Sequence, residues 1–466
     1  MMDLKARLRG IVSGGAPVTP RDPTEPQIDR SPDDRVDARG GATQRNELTY
    51  EPDTGRYEAS IDLERVADVL GGRVVSNRYG RALAIERRYE SDRLHGCRRV
   101  GDCEVADDDL LRLLDPGLPP PDAVGERTLF VDLETTGLSG GAGTVAFLVG
   151  IGWFDLGAFQ VRQFLLASYA SERALLCAVA ECFDAAALLV TYNGKTFDVP
   201  MMETRWMFHR MPMPLRSVRH FDMLHPARRL WGCRSADTGI EGQSRASKDA
   251  GGCRLGTLER VLCDVTRAGD VPGMEIPARY FRFLRSGDAR PLEPVLEHNR
   301  LDLVSLAAVA AHAVELVEHG APRCRDAAEA LALGKVYERG GVLDRANDCY
   351  RHAADAPGAP AEVSGEALYR LGVRLRRDRR FANAAEIWRR ILTLPGRSEL
   401  LRTLRQFATE ALAVHHEHRE KDYQGARDLA LTLLDDETFE TRARVRHRLA
   451  RLDRKIASNG DSQLFA

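Results

Sequence analysis

The stretch Thr128-Leu-Phe-Val-Asp-Leu-Glu-Thr-Thr-Gly137 decides the fold. Leu129 to Val131 reads as a short buried strand, and Thr135-Thr136-Gly137 turns the chain after it. Side chains alternate between the two faces of a strand, so Asp132 and Glu134 point the same way while Leu133 enters the core. Two carboxylates side by side on a rigid strand repel each other unless a cation lies between them. The pairing suits a hard divalent metal, which takes oxygen ligands. The tripeptide alone decides little. Asp62-Leu63-Glu64 repeats it at an expected helix start, where the helix dipole favours acids.

Two more acids follow downstream. Val190-Thr-Tyr-Asn-Gly-Lys-Thr-Phe-Asp198 runs from a strand through an Asn193-Gly194 turn and sets Asp198 at a helix start. In Glu297-His-Asn-Arg-Leu-Asp302, His298 and Asp302 are four residues apart on an expected helix and so share a face. Taken singly, each acid is equally well a cap or a surface charge. Their order makes them a set, with Asn193 five residues before Asp198 and His298 four before Asp302.

These motifs resemble those of the DEDD 3′–5′ exonuclease superfamily, whose fold is RNase H-like, and within it the YprB-type bacterial proteins. The resemblance covers about residues 126–318, with weaker similarity upstream at Tyr79-Gly-Arg and Arg87-Arg88-Tyr89. Asp132 and Glu134 match the first motif, Asp-x-Glu-Thr-Thr-Gly; Asp198 matches the acid of the second and Asp302 that of the third. The resemblance implies that these four carboxylates hold two Mg²⁺ or Mn²⁺ ions roughly 4 Å apart, one activating water and the other stabilising the leaving 3′ oxygen. It implies His298 as the group that positions or deprotonates the water. Asn193, Lys195 and Thr136 are the implied contacts to the terminal nucleotide and its phosphate. Asp222, in His220-Phe-Asp-Met-Leu-His-Pro-Ala-Arg228, fits the stretch that often follows the second motif, and fits a helix N-cap as well. One departure stands out. The histidine branch of the superfamily places His five residues before the last Asp and the tyrosine branch places Tyr four before, so His298 occupies the tyrosine spacing. The implied activity is 3′–5′ exonucleolytic hydrolysis at the 3′ end of DNA or RNA. Two alternatives accompany it: a catalytically weak nuclease-fold protein that binds nucleic acid or acts as a scaffold, and an oligoribonuclease-like enzyme.

Composition bounds these readings. At 466 residues the chain has room for several domains, and its 43% hydrophobic and 29% charged content is ordinary for a soluble protein. The net charge of −2 requires any nucleic-acid contact to come from a local patch. The most basic stretch, residues 203–260, holds 11 Lys/Arg against 6 Asp/Glu. Within it Arg216, Arg219, Arg228, Arg229 and Arg254 are candidate phosphate contacts. The nine cysteines are scattered without a C-x-x-C pair, which points to a reducing cytoplasm. No apolar run of about 18 residues occurs, so no membrane span is expected.

Four regions are expected. Residues 1–45 read as a disordered tail, apart from a short helix at Leu4–Ile11, because Pro, Asp, Arg and Gly replace anything that could be buried. Residues 46–125 read as a small α+β region with a helix, a hairpin across residues 73–89, and a proline-rich linker from Asp115 to Pro121. Residues 126–320 alternate strands and helices, giving an α/β, RNase H-like mixed sheet flanked by helices, interrupted by a polar loop insertion at 232–252. Residues 321–458 read as an all-α domain of tetratricopeptide-like repeats. Leu333-Gly334 recurs as Leu371-Gly372, while Ala346 and Tyr350 recur as Ala384 and Trp388, all at an offset of 38 residues. Such arrays bind proteins or peptides or brace a neighbouring domain.

Overall fold

The computed structural model describes residues 61–105, 107–121, 125–137, 143–232, 253–434 and 439–464. The N-terminal tail, residues 138–142 beyond the expected turn at Thr135-Thr136-Gly137, and residues 233–252 of the expected insertion lie outside them. The chain divides into Met1–Arg56 and Tyr57–Ala466, and every described residue belongs to the second unit.

Helix α1 (Leu63–Leu70) begins at Asp62, whose side chain accepts from the backbone N–H of Glu64 and Arg65. Asp62-Leu63-Glu64 therefore stands at a helix start, as expected, and Asp62 is its cap. Gly71, at φ 62°, closes the helix in the left-handed region open to glycine. The hairpin β1 (Arg73–Asn77) and β2 (Gly80–Tyr89) follows, then the short strands β3 (Leu94–His95) and β4 (Arg98–Arg99) and helix α2 (Asp108–Leu114). Next come β5 (Arg127–Thr135), β6 (Ala146–Asp155), β7 (Ala158–Leu165), helix α3 (Glu172–Cys182), β8 (Ala186–Thr191) and helix α4 (Asp198–Phe208). Strand β9 (Arg219–Asp222) leads into α5 (Leu224–Trp231), α6 (Leu255–Cys263), α7 (Ile276–Ser286) and the long α8 (Glu293–His319).

Seven strands form one mixed sheet in the order β1-β2-β7-β6-β5-β8-β9. The β5–β6 and β6–β7 pairs are antiparallel, while β5–β8 and β8–β9 are parallel. The division expected at residue 125 is not a division of this sheet. β2 pairs along β7 from Leu83–Leu165 to Tyr89–Phe159, so the upstream hairpin extends the same layer. The segment expected as a linker is also packed: Leu118 is buried, and Asp115 is buried in an ion pair with Lys195. Proline-rich composition marks a segment that cannot be helix or central strand. It does not mark one that leaves the surface.

The alternation of β5 divides two cores. Leu129, Val131 and Leu133 face a core shared with α3, α4 and α7. Phe130 faces a second core shared with α5, α6 and most of α8. Asp132 and Glu134 share the face of Phe130.

An all-helical region follows: α9 (Ala327–Arg339), α10 (Leu343–Asp355), α11 (Ala361–Arg377), α12 (Phe381–Thr393), α13 (Glu399–His415), a π-helical turn at His416–Glu420, α14 (Tyr423–Thr432) and α15 (Phe439–Leu464). Paired helices approach closely where the repeat places glycine. A Cβ at Gly334 would lie 2.5 Å from the Tyr350 ring, and one at Gly372 2.6 Å from the Trp388 indole nitrogen. The second core runs without a break from the sheet through α8 into α9–α13. Polar contacts cross the same junction. Trp231 Nε1 donates to Glu329 at 2.7 Å, and the Tyr337 hydroxyl donates to the Val317 carbonyl.

Candidate active site

β5, the turn before α4, the loop 264–275 and the first half of α8 meet at one place. α8 brings His298, Asn299 and Asp302 over the end of β5. The close approach depends on β6. Gly150 pairs with Asp132 across the ladder, and a Cβ there would lie 2.2 Å from Asn299 Oδ1. With glycine in that place, Asn299 Nδ2 donates to Asp132 Oδ2 at 2.8 Å and to the Asp132 carbonyl at 3.1 Å. Asn299 is itself held. Gln163 Nε2 donates to its Oδ1 at 2.7 Å, and Arg300 Nη1 donates to Gln163 Oε1 at 3.0 Å. Gln163 and Asn299 are wholly buried, and this chain of bonds leaves each a partner.

The acids crowd one another. Burial pushes the Asp132 carboxyl well above the usual range, and the charges of Asp302, Glu134 and Asp198 push it further. Burial, then Asp302, Asp198 and Asp270, does the same to Glu134. Asp198, 5% exposed at the first turn of α4, is pushed up to about 7 by burial and by Asp222. The four acids singled out in the sequence therefore lie in one electrostatic neighbourhood. Their oxygens have not closed on a common point. Among the described residues, the group of three His or acid ligand atoms all within 4.8 Å of one another is His416, Glu420 and Asp422, far along the helical region.

Part of the reason is Arg267. Its Nη2 lies 2.5 Å from Asp302 Oδ1, and the same guanidinium makes two 2.7 Å bonds to the buried Glu259. Against its own burial, Asp302 and Glu259 hold Arg267 above its ordinary value. Asp270, from the same loop, lies 2.6 Å from His298 Nδ1. The other ring nitrogen of His298, Nε2, then faces the acids, 3.5 Å from Asp302 and 4.0 Å from Glu134. Burial raises the Asp270 carboxyl, but His298, the Arg267 charge and the Val271 backbone N–H together outweigh it and leave the group below its usual range.

The remaining residues singled out in the sequence stand elsewhere. Asp222 is fully buried and accepts from the backbone N–H of Asn193 (2.8 Å), Lys195 (3.0 Å) and Leu224 (3.1 Å). It thus ties the turn before Asp198 to the start of α5 and lets Asn193 hold a left-handed φ of 68°. Asn193 is exposed, and its Oδ1 accepts from Thr196. Lys195 Nζ is paired with Asp115 at 2.9 Å. Thr136 is half-buried, with its hydroxyl accepting from Val145 N at 3.0 Å. Arg219, expected as a phosphate contact, is buried against Asp108 and the Pro119 carbonyl and belongs to the framework. Sequence reasoning missed Asn299, Gln163, Arg267 and Asp270. Only Asn299 carried a signal, its place inside the His298–Asp302 motif.

The carboxylates fit a divalent metal on their own chemistry. Several oxygen donors are crowded at low exposure, with one guanidinium on Asp302 as the nearest neutralising charge. Residues 129–314 match the family model of the RNase H superfamily. The chain is also 31% identical over 333 residues to the uncharacterized protein YprB of Bacillus subtilis (strain 168), covering 71% of this chain and 75% of that protein. Members of the superfamily are usually hydrolases of nucleic acids and typically use divalent metal ions. The mixed sheet, the acids at the end of its central strand and these two matches make the chain a member of the RNase H superfamily and a relative of YprB.

Proposed function

We propose that the chain is a metal-dependent 3′–5′ exonuclease of the DEDD type, acting in the cytoplasm on the ends of DNA or RNA. The observation that carries this is the crowding of Asp132 by Glu134, Asp198 and Asp302, acids contributed by three separate elements. In this reading those four hold two Mg²⁺ or Mn²⁺ ions. When bound, such ions activate water and stabilise a leaving oxygen. Asn299 fixes which oxygen of Asp132 is free, since Oδ2 already accepts its amide. His298, anchored through Nδ1, has Nε2 available to take a proton from water beside Glu134 and Asp302. Thr136 and Asn193 would meet the terminal nucleotide, and Lys195 would have to exchange Asp115 for a phosphate. The helical pairs α9–α14 are read as tetratricopeptide-like repeats, on the close contacts at Gly334 and Gly372.

The test is purified full-length protein with Mg²⁺ or Mn²⁺ on end-labelled single- and double-stranded DNA and RNA. Stepwise shortening from the 3′ end is expected, abolished by EDTA and by Asp132→Ala. Equal activity in wild type and Asp132→Ala would remove the enzyme reading.

A further inference from the structure

Five arginines lie within seven residues at the end of α11 and the turn after it: Arg374, Arg376, Arg377, Arg379 and Arg380. Arg374 pairs with Asp378 at 3.1 Å. The other four are exposed, and none makes an ion pair among the described residues. That separates them from their neighbours. Arg351, Arg370, Arg389 and Arg390 each have an acidic partner. A solvated face of a helical array normally intersperses its signs. Four uncompensated guanidiniums on one turn instead make a local positive field on a chain whose net charge is −2.

The turn has neighbours of the same kind. Arg419, from the turn between α13 and α14, stacks 3.8 Å above the ring of Phe381, the first residue of α12. On the other side, α9 runs beside α11, and its last residue is the exposed Arg339. Gly340 comes next and packs directly on Leu113 of α2, so this turn touches the segment that pairs with the active-site turn. There, Arg229 donates to the Leu114 carbonyl, while Asp115 holds Lys195. Burial lowers the Arg229 guanidinium, and the nearby charge of Arg339 lowers it again, which marks the two as close. A basic path thus leads from Lys195 through Arg229 and Arg339 to the four free arginines and Phe381.

We infer that this turn edge of the helical region is a track for the phosphate backbone of a nucleic-acid strand whose end lies at the candidate active site. The inference rests on the proposed nucleolytic reading for the identity of the strand. Guanidiniums neutralise successive phosphates, and a half-exposed aromatic ring beside them offers a stacking platform for a base. A nucleic acid is favoured over an acidic peptide because the path leads to Lys195, in the turn that opens α4 three residues before Asp198, one of the acids that would meet the same strand's end. Helices pack about 8–10 Å apart, so the path from α5 across α9 to α11 is roughly 20 Å long. A strand of about 4 nucleotides, near 3.4 Å each in a stacked form, falls short of it.

The experiment compares binding of fluorescent single strands of about 4 and about 30 nucleotides to the full chain without metal, across a series of salt concentrations. Wild type is expected to prefer the long strand by at least about tenfold, with a steep salt dependence. Replacing Arg376, Arg377, Arg379 and Arg380 together with Ala should remove the length preference and flatten the salt slope by up to about 3, at roughly 0.7 per phosphate contact. The same four positions changed to Lys should keep most of the preference, because the interaction is with charge. Absence of a length preference in wild type, or its survival in the Ala variant at an unchanged slope, overturns the inference. An acidic peptide of equal charge that competes as well as the long strand also overturns it. Binding is read apart from cleavage. Length preference without Mg²⁺-dependent hydrolysis would refute the catalytic proposal and leave the track. Hydrolysis without length preference would do the reverse.

Discussion

Asp270 Oδ1 lies 2.6 Å from His298 Nδ1, and the opposite ring nitrogen of that histidine faces Glu134 and Asp302. The contact fixes the ring plane and leaves Nε2 as the nitrogen that can accept a proton when the ring is neutral. If His298 is the base, His298→Ala is expected to lower single-turnover hydrolysis about 10²–10⁴-fold. Metal affinity by calorimetry should hardly change. Asp270→Asn keeps the shape but can present an amide to Nδ1. It should reduce turnover less than His298→Ala and shift the pH–rate profile. An His298→Ala variant within about threefold of wild type would take the residue out of the site.

The acid cluster makes a prediction about stability that needs no substrate. Asp198 has its folded-state carboxyl pushed up to about 7 from an ordinary value of 3.8. Between those two values the folded chain keeps a proton that the unfolded chain has released, so stability falls as pH rises through that window. The metal-free protein should therefore lose stability from about pH 4 to pH 7 on account of this group. Asp198→Asn removes the loss. At pH 8 the variant should melt about 2–4 °C above wild type without metal, and at pH 4 the two should coincide. Added Mn²⁺ should raise the melting temperature of wild type more than that of the variant. A variant that melts lower at both pH values would show that Asp198 is a structural acid.

The range of each interaction decides how much of this was legible in the chain. Asp132 and Glu134 share a face by strand alternation, and His298 and Asp302 by helical spacing, both within a few residues. The helix start at Asp62-Leu63-Glu64 was legible for the same reason. Lys195 was not, because its partner Asp115 is 80 residues away in a segment whose prolines suggested a linker. Arg267 and Asp270 sit in a connecting loop whose local sequence has no periodicity to read. Gly150 looked like any glycine in an apolar strand. Its meaning is the amide of Asn299 above it, a contact between residues far apart in the chain.

That amide supplies a second stability test. Gly150→Ala would put a methyl group 2.2 Å from Asn299 Oδ1, so Asn299 must withdraw from Asp132 and from Gln163. Overpacking of this kind costs about 1–3 kcal/mol. The loss should appear in urea unfolding and be accompanied by reduced nuclease activity at saturating metal. Asn299→Ala with wild-type Gly150 should also destabilise, because Gln163 Nε2 then loses one of its two acceptors. An unchanged midpoint for Gly150→Ala would mean that α8 can shift outward at little cost.

The helical region answers to a different measurement. Helices α9–α13 share one apolar core with the sheet face and α8, and Glu329, fully buried, accepts from Trp231 on one side and Arg325 on the other. Against burial, the Arg325 backbone N–H and guanidinium, with the indole of Trp231, hold its carboxyl below the usual range. Glu329→Ala would leave the buried Trp231 indole N–H without its acceptor, a loss of about 1–3 kcal/mol, while the exposed Arg325 stays solvated. If the two regions fold as one, that loss lowers a single cooperative transition that includes the sheet. A chain ending at Gly320 should then be poorly soluble, because Trp231 and the outer face of α8 become an exposed apolar patch. The check is calorimetry of the full chain and its Glu329→Ala variant, with activity followed through the melt. Two separated transitions, only one of them moved by the substitution and activity tracking the other, would show instead that the helical region is an independent module attached to a self-sufficient nuclease fold.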